Sequence, residues 1–214
     1  MMTILKDDTR TKVSRIFSQN LEGDVKIRYF TQEFECEFCK ETRMLLEELA
    51  ALSQKINLEV YDFSTDSEKA QQFGVDKIPA TIISGKEEYK IRYFGIPTGY
   101  EFTSLIEDIV DVSRGKSRLP PQLIDKVKSI TKLVHIQVFV TPTCPYCPKA
   151  VRVAHQLAIE NLNVTADMVE SIEFPHLANR YSVMAVPKTV INDKIEFVGA
   201  VPEEQFIDYA LKAR

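Results

Sequence analysis

An α/β fold built twice in tandem is what this 214-residue sequence predicts, and three observations carry the prediction. A Cys-x-x-Cys stands between a strand-like and a helix-like run at Cys36 to Cys39, and again at Cys144 to Cys147. Landmarks repeat at a common offset: Cys36 to Cys144 and Pro79 to Pro187 both span 108 residues, and Gly95 to Gly199 spans 104. Val75 and Thr81 likewise meet Val183 and Thr189 at 108, while Ile27 and Phe30 meet Ile136 and Phe139 after one residue of slip. Strands, prolines and thiols that recur together mark a repeated structural unit. The stretch Ser113-Arg114-Gly115-Lys116-Ser117-Arg118-Leu119-Pro120-Pro121 is polar and punctuated by Gly and Pro, so it marks the boundary between units 1–117 and 118–214.

Taken in order, residues 8–20 predict an amphipathic helix, with Asp7 and Asp8 at its start and Val13, Ile16 and Phe17 on one face. The β-branched and aromatic run 25–31 predicts a strand, and Leu45, Leu46, Leu49 and Leu52 form the buried stripe of a helix over 37–52. A strand at 58–63, a short helix at 67–73, strands at 80–84 and 88–94 and a helix at 99–112 complete the first unit. The second repeats it: a helix at 121–131, a strand at 134–140, a helix at 149–160, a strand at 164–169, a short helix ending near Tyr181, strands opening at Val186-Pro187 and at 195–198, and a helix at 202–213.

Composition narrows the function. The formal net charge is −4, and no Lys/Arg cluster with interleaved aromatics occurs, which argues against nucleic acid as a partner. The start of the chain turns acidic before a signal-peptide core can form, and no apolar run approaches a membrane span, so a soluble cytoplasmic protein without a membrane partner is expected. Only 7 glycines and no Trp indicate short loops with little slack, and with them a thermophilic source.

All four cysteines fall in the two Cys-x-x-Cys pairs, which in a reducing compartment are redox or metal sites rather than a structural framework. A cysteine at a helix start accepts backbone N–H groups that have no intrahelical partner and feels the positive end of the helix dipole, so its pKa falls and it becomes nucleophilic. Cys144 is placed near the N-cap and Cys147 one turn in. Zinc is the rival for four thiols. Zinc ribbons, however, place their knuckles roughly 15–20 residues apart, and Cys144 follows Cys39 by 105. No native metal site is expected. The three histidines, His135, His155 and His176, match neither one another across the repeat nor a ligand spacing, and read as surface or internally satisfied residues.

Each half resembles a thioredoxin/glutaredoxin unit, a central mixed sheet flanked by helices, in its Cys-x-x-Cys, its apolar-Pro dipeptide 43 residues after the first Cys, and its glycine after the last strand. The whole chain, with Thr-Pro-Thr-Cys-Pro-Tyr-Cys-Pro at 141–148, resembles the glutaredoxin-like protein disulfide oxidoreductases of hyperthermophilic archaea and bacteria. That resemblance implies dithiol–disulfide exchange on protein substrates with no cofactor beyond the redox-active disulfides. Cys36 and Cys144 would be the nucleophiles, with Cys39 and Cys147 resolving the mixed disulfide. It further implies cis peptide bonds at Ile78-Pro79 and Val186-Pro187, whose backbone pairs with substrate, and recharging by a thioredoxin-reductase-like NAD(P)H flavoprotein. The buried acid that thioredoxins carry on the strand before the active site is absent from Ile27-Arg28-Tyr29-Phe30 and Ile136-Gln137-Val138-Phe139. Asp62 and Glu170, 108 apart at the ends of the second strands, are the proton acceptors to test against plain surface acids. Two alternatives stand beside the enzyme: an electron relay like the paired thioredoxin folds at the front of peroxide-reducing flavoproteins, which typically keep one Cys pair, and a non-catalytic module gripping zinc or unfolded chains.

Overall fold

In the computed structural model, which describes residues 3–213, a single mixed sheet carries both halves of the repeat. Met1, Met2 and Arg214, at the outer ends of the two expected units, lie outside the described residues. The first half runs α1 (Asp7–Asn20), β1 (Val25–Thr31), α2 (Cys39–Ala50), β2 (Ile56–Asp62), α3 (Ser67–Gln72), β3 (Ala80–Ser84), β4 (Lys90–Phe94) and α4 (Glu101–Arg114). The second runs α5 (Pro121–Lys128), β5 (Val134–Val140), α6 (Cys147–Glu160), β6 (Val164–Glu170), α7 (Pro175–Arg180), β7 (Lys188–Ile191), β8 (Ile195–Val198) and α8 (Glu203–Lys212). Every expected element is present. One correction concerns the helices that follow the cysteine pairs: both begin at the second cysteine rather than near the first, because the two residues between the thiols are held in a turn.

The strand order is β2-β1-β3-β4-β6-β5-β7-β8. Within each half the inner strand pairs parallel with one neighbour (β1 with β2, β5 with β6) and antiparallel with the other (β1 with β3, β5 with β7), giving the mixed sheet twice. The halves join where β4 pairs parallel with β6, from Lys90 opposite Thr165 to Phe94 opposite Val169. Each of these strands would otherwise be an open edge with unpaired backbone groups, so joining them removes two edges at once.

Alternate residues of each strand enter two cores on opposite faces, as the period of two requires. Val25, Ile27 and Tyr29 of β1, Ile91 and Tyr93 of β4, and Val164, Ala166 and Met168 of β6 enter one core, which continues from Phe17 and Leu45 to Leu157 and Phe206 without a break at the junction. Phe30, Phe94, Phe139 and Val169 enter the other, beneath α3 and α7. Charged groups seal the junction on both faces. Between α4 and α6, Arg152 pairs with Asp108, Asp111 and Glu107, and His155 Nδ1 lies 2.5 Å from Asp108. On the thinner face, Arg92 of β4 forks onto Asp167 of β6 at 2.7 and 2.8 Å, with His135 2.6 Å from the same carboxylate. Burial alone would raise the Asp167 carboxyl, but Arg92 and His135 overrule it and hold the group well below its usual range.

Candidate active sites

Both thiol pairs sit where a central strand hands over to a helix: β1 leads to Cys36 and α2, and β5 leads to Cys144 and α6. Each pair is closed as a disulfide with Cα atoms 5.5 Å apart. Cys36 is half-buried and Cys39 only 2% exposed, while Cys144 and Cys147 are 6% and 0% exposed. In the second site the Cys147 N–H donates to Cys144 Sγ at 3.1 Å, the contact by which a helix terminus stabilises negative charge on sulfur. In the first, the Tyr29 hydroxyl donates to the carbonyl of Cys39 at 2.7 Å and anchors the start of α2.

The register brings the expected partners to the same sheet end. Phe30 lies opposite Ala80 and Phe139 opposite Lys188, so Pro79 and Pro187 fall beside the ends of β1 and β5. Both Ile78-Pro79 and Val186-Pro187 are cis. Each proline carbonyl accepts the N–H of the glycine that ends the following hairpin, Gly95 after β4 at 2.9 Å and Gly199 after β8 at 2.8 Å. Asp62 lies opposite Thr31 and Glu170 opposite Val140, also at that end. Asp62 lines a cleft of about 600 Å³ together with Cys36, Cys39, Lys40 and Arg43. Its carboxylate accepts the N–H groups of Ser64 and Thr65 at 3.0 and 2.9 Å, and the Thr65 bond leads in lowering its pKa. Glu170 is buried, accepts the N–H of Glu173 at 2.6 Å and is raised by burial. The two acids therefore do the same local job, each holding the turn that follows its strand.

Compared with known proteins, the chain aligns over 98% of its length with 93% of a protein disulfide oxidoreductase from Aeropyrum pernix K1, at 32% identity and a TM-score of 0.91. This chain belongs to the protein disulfide oxidoreductase family. A thioredoxin-domain model matches residues 134–212 of this chain, and a domain of unknown function, DUF7088, matches 9–97. The NTD_N/C domain of the alkylhydroperoxide reductase AhpF from Enterococcus faecalis aligns with 96% of this chain and 99% of its own, at 28% identity and a TM-score of 0.89. A Bacillus subtilis protein named NADH dehydrogenase is 26% identical over 191 residues, 89% of this chain. The chain spans about a third (35%) of that relative's length.

The repeat does not reveal every polar group near the two cysteine pairs. Glu101, the first residue of α4, is 1% exposed, and among the described residues neither of its carboxylate oxygens makes a hydrogen bond. Burial pushes its carboxyl up to about 7. Helices α4 and α6 run parallel and in step, with Arg152 against Asp108 and Glu160 against Ser117, so the start of α4 lies beside the start of α6. The Tyr100 N–H donates to the Pro142 carbonyl, two residues before Cys144, at 3.1 Å. In sequence, Glu101 looks like an ordinary acid at a helix start, and at the 104-residue offset of Gly95 and Gly199 its counterpart is Gln205. No repeat signal marks it. Among the described residues, no three His, Cys, Asp or Glu side chains are grouped to hold a metal ion, and no helix is long and apolar enough to cross a membrane.

Proposed function

We propose that the chain catalyses dithiol–disulfide exchange on protein substrates at two sites, one in unit 1–117 and one in unit 118–214. The observation that carries this reading is the pairing, twice, of a helix-start disulfide with a cis-proline that precedes the antiparallel neighbour of the strand leading to it. In the reducing direction, the thiolate of Cys36 or Cys144 attacks a substrate disulfide, a mixed disulfide forms, and one substrate sulfur leaves as thiolate and takes a proton. Cys39 or Cys147 then loses its proton and attacks the enzyme sulfur of the mixed disulfide. The second substrate thiolate departs, leaving the enzyme oxidised by two electrons. The backbone at Ile78-Pro79 and Val186-Pro187 pairs with the substrate chain.

The carboxyls that receive the Cys147 proton are Glu101, which burial pushes up to about 7, and Glu170, which burial also raises. Asp62 stands in the corresponding place for Cys39, but the turn amides that keep it ionised make it the weaker base. No metal or organic cofactor enters the cycle. A thioredoxin-reductase-like NAD(P)H flavoprotein recharges the disulfides in the cytoplasm of a thermophile.

Reduction of insulin in the presence of dithiothreitol tests the reading: turnover disappears in Cys36→Ser/Cys144→Ser, whereas turnover independent of these residues refutes it. The relay alternative is favoured by one observation, the near-complete match to a module of AhpF together with the short span of the longer relative. It predicts that insulin reduction is negligible and that electrons pass only when a dedicated flavoprotein is supplied.

A further inference from the structure

Glu173 belongs to the turn between β6 and α7, in the second half, yet its carboxylate serves the first. Its Oε1 accepts the Ile96 N–H at 2.6 Å. Ile96 follows Gly95, whose own N–H donates to the Pro79 carbonyl at 2.9 Å, so the carboxylate stands directly behind the backbone flanking the first cis-proline. Gly95 has φ 96°, and a Cβ built there would lie 2.6 Å from Glu170 Cβ and 2.7 Å from Glu173 Oε1. Only glycine lets the turn come so close. The approach is one-sided: the corresponding Gly199 has φ 95° and nothing within 4 Å of its Cβ position. The repeat position of Glu173 is Thr65, which turns back onto Asp62 in its own half.

The turn is held from behind by Glu170, whose Oε2 accepts the Glu173 N–H at 2.6 Å, while its Oε1 is buried and makes no hydrogen bond among the described residues. The titratable groups whose charge couples to Glu173 are Glu170 from β6, Glu37 from between the first pair's cysteines, and Tyr29 from β1, whose hydroxyl anchors Cys39. Burial first, opposed by the Ile96 bond and aided by Glu170 and Glu37, pushes the Glu173 carboxyl up to about 7.

We propose that Glu173 is a positioning residue for the Cys36–Cys39 site: it fixes the backbone beside cis-Pro79 and, when ionised, holds the proton on Cys36. The inference rests on reading Cys36 as the nucleophile. It makes the first redox site incomplete without the second half of the chain. An ionised neighbour disfavours a thiolate and a protonated one does not, so the effect must appear as pH rises through the titration of Glu173.

The test is the iodoacetamide reaction of Cys36 in the reduced full-length chain, followed by peptide mass spectrometry from about pH 5.5 to about pH 7.5, a range that brackets a carboxyl raised into neutrality. Glu173→Gln keeps an acceptor for the Ile96 N–H and removes only the charge. Its rate relative to the parent should be near one at the acid end and rise to about threefold at the upper end, the size of one like charge acting through a water-like dielectric. Glu173→Ala also frees the Ile96 N–H and should alter the rate at every pH. A Gln-to-parent ratio that stays flat with pH overturns the charge role, and an Ala variant that tracks the Gln variant overturns the positioning role. The Cys144 peptide in the same digests reports whether each variant is folded. If Cys36 in the parent reacts no faster than Cys39, the nucleophile assignment itself fails, a result distinct from a flat ratio.

Discussion

At the scale of single residues, the second cysteine of each pair is the less accessible one, and this orders reactivity. Cys39 and Cys147 lie inside the helix start at 2% and 0% exposure, whereas Cys36 is half-buried and Cys144 Sγ already accepts a helix N–H. After reduction, Cys36 and Cys144 should alkylate about tenfold faster than their partners, the gain expected of a thiolate at a helix terminus. Adduct mapping by mass spectrometry checks this, and equal labelling of all four would sink the role assignment. Glu101 supports a second prediction, on stability. Its carboxyl is raised from 4.5 to about 7, so between those values the folded chain holds a proton that the unfolded chain has lost. Stability therefore falls as pH rises through that window, by roughly 3 kcal/mol in full. Glu101→Gln should lose less stability between the two ends of the window in urea titrations; identical pH slopes would refute the buried charge. The thiols and prolines were legible in sequence because the repeat displays them twice. Glu101 and Glu173 were not, because each lies against the half to which it does not belong.

At the scale of elements, local chemistry located all the strands and helices, and the differences are confined to ends. Pro187 has no N–H for a ladder, so β7 starts at Lys188 rather than at Val186. The charged seam between α4 and α6 was harder to foresee. No motif or repeat marks Asp108, Asp111, Arg152 and His155 in the sequence, yet all are buried, because each helix covers the other's polar stripe. Burial lowers His155 to about 3, so it stays neutral against Asp108. Arg152→Met removes the cation shared by Asp108, Asp111 and Glu107 and strands buried carboxylates, which should cost about 3–5 kcal/mol in the urea transition. A loss below about 1 kcal/mol would place the seam among surface ion pairs. Gly99 makes the same point for the backbone. It has φ 61°, and a Cβ there would lie 2.1 Å from the Pro142 carbonyl oxygen, so the loop after β4 can pack on the approach to Cys144 only as glycine.

At the scale of the whole molecule, the repeat was legible and the junction was not: which strand closes an open edge depends on how two units meet, and no local pattern records it. The β4–β6 pairing and the uninterrupted core make the halves one sheet, so thermal or urea unfolding should be a single transition, with tyrosine fluorescence and far-ultraviolet dichroism coinciding. Two separated transitions would contradict this. The halves nonetheless surround their cysteine pairs with different charges, and the C-terminal pair should be the better oxidant. Cys144 receives the Cys147 N–H, and neutral Pro145 and Tyr146 lie between its thiols, so the helix end stabilises the reduced, thiolate-bearing state. Cys36 has Glu33, Glu35 and Glu37 around it. All three are exposed, which screens them, and Lys40 and Arg43 in the adjoining cleft offset part of their field. What remains is a small bias against the Cys36 thiolate, worth about 30 mV if it reaches one decade in the equilibrium constant of this two-electron couple. Potentials measured against glutathione buffers in Cys36→Ser/Cys39→Ser and Cys144→Ser/Cys147→Ser separate the two sites. The Cys144–Cys147 couple should lie tens of millivolts less negative than Cys36–Cys39, and a more negative value for it would reverse the assignment of oxidant and reductant.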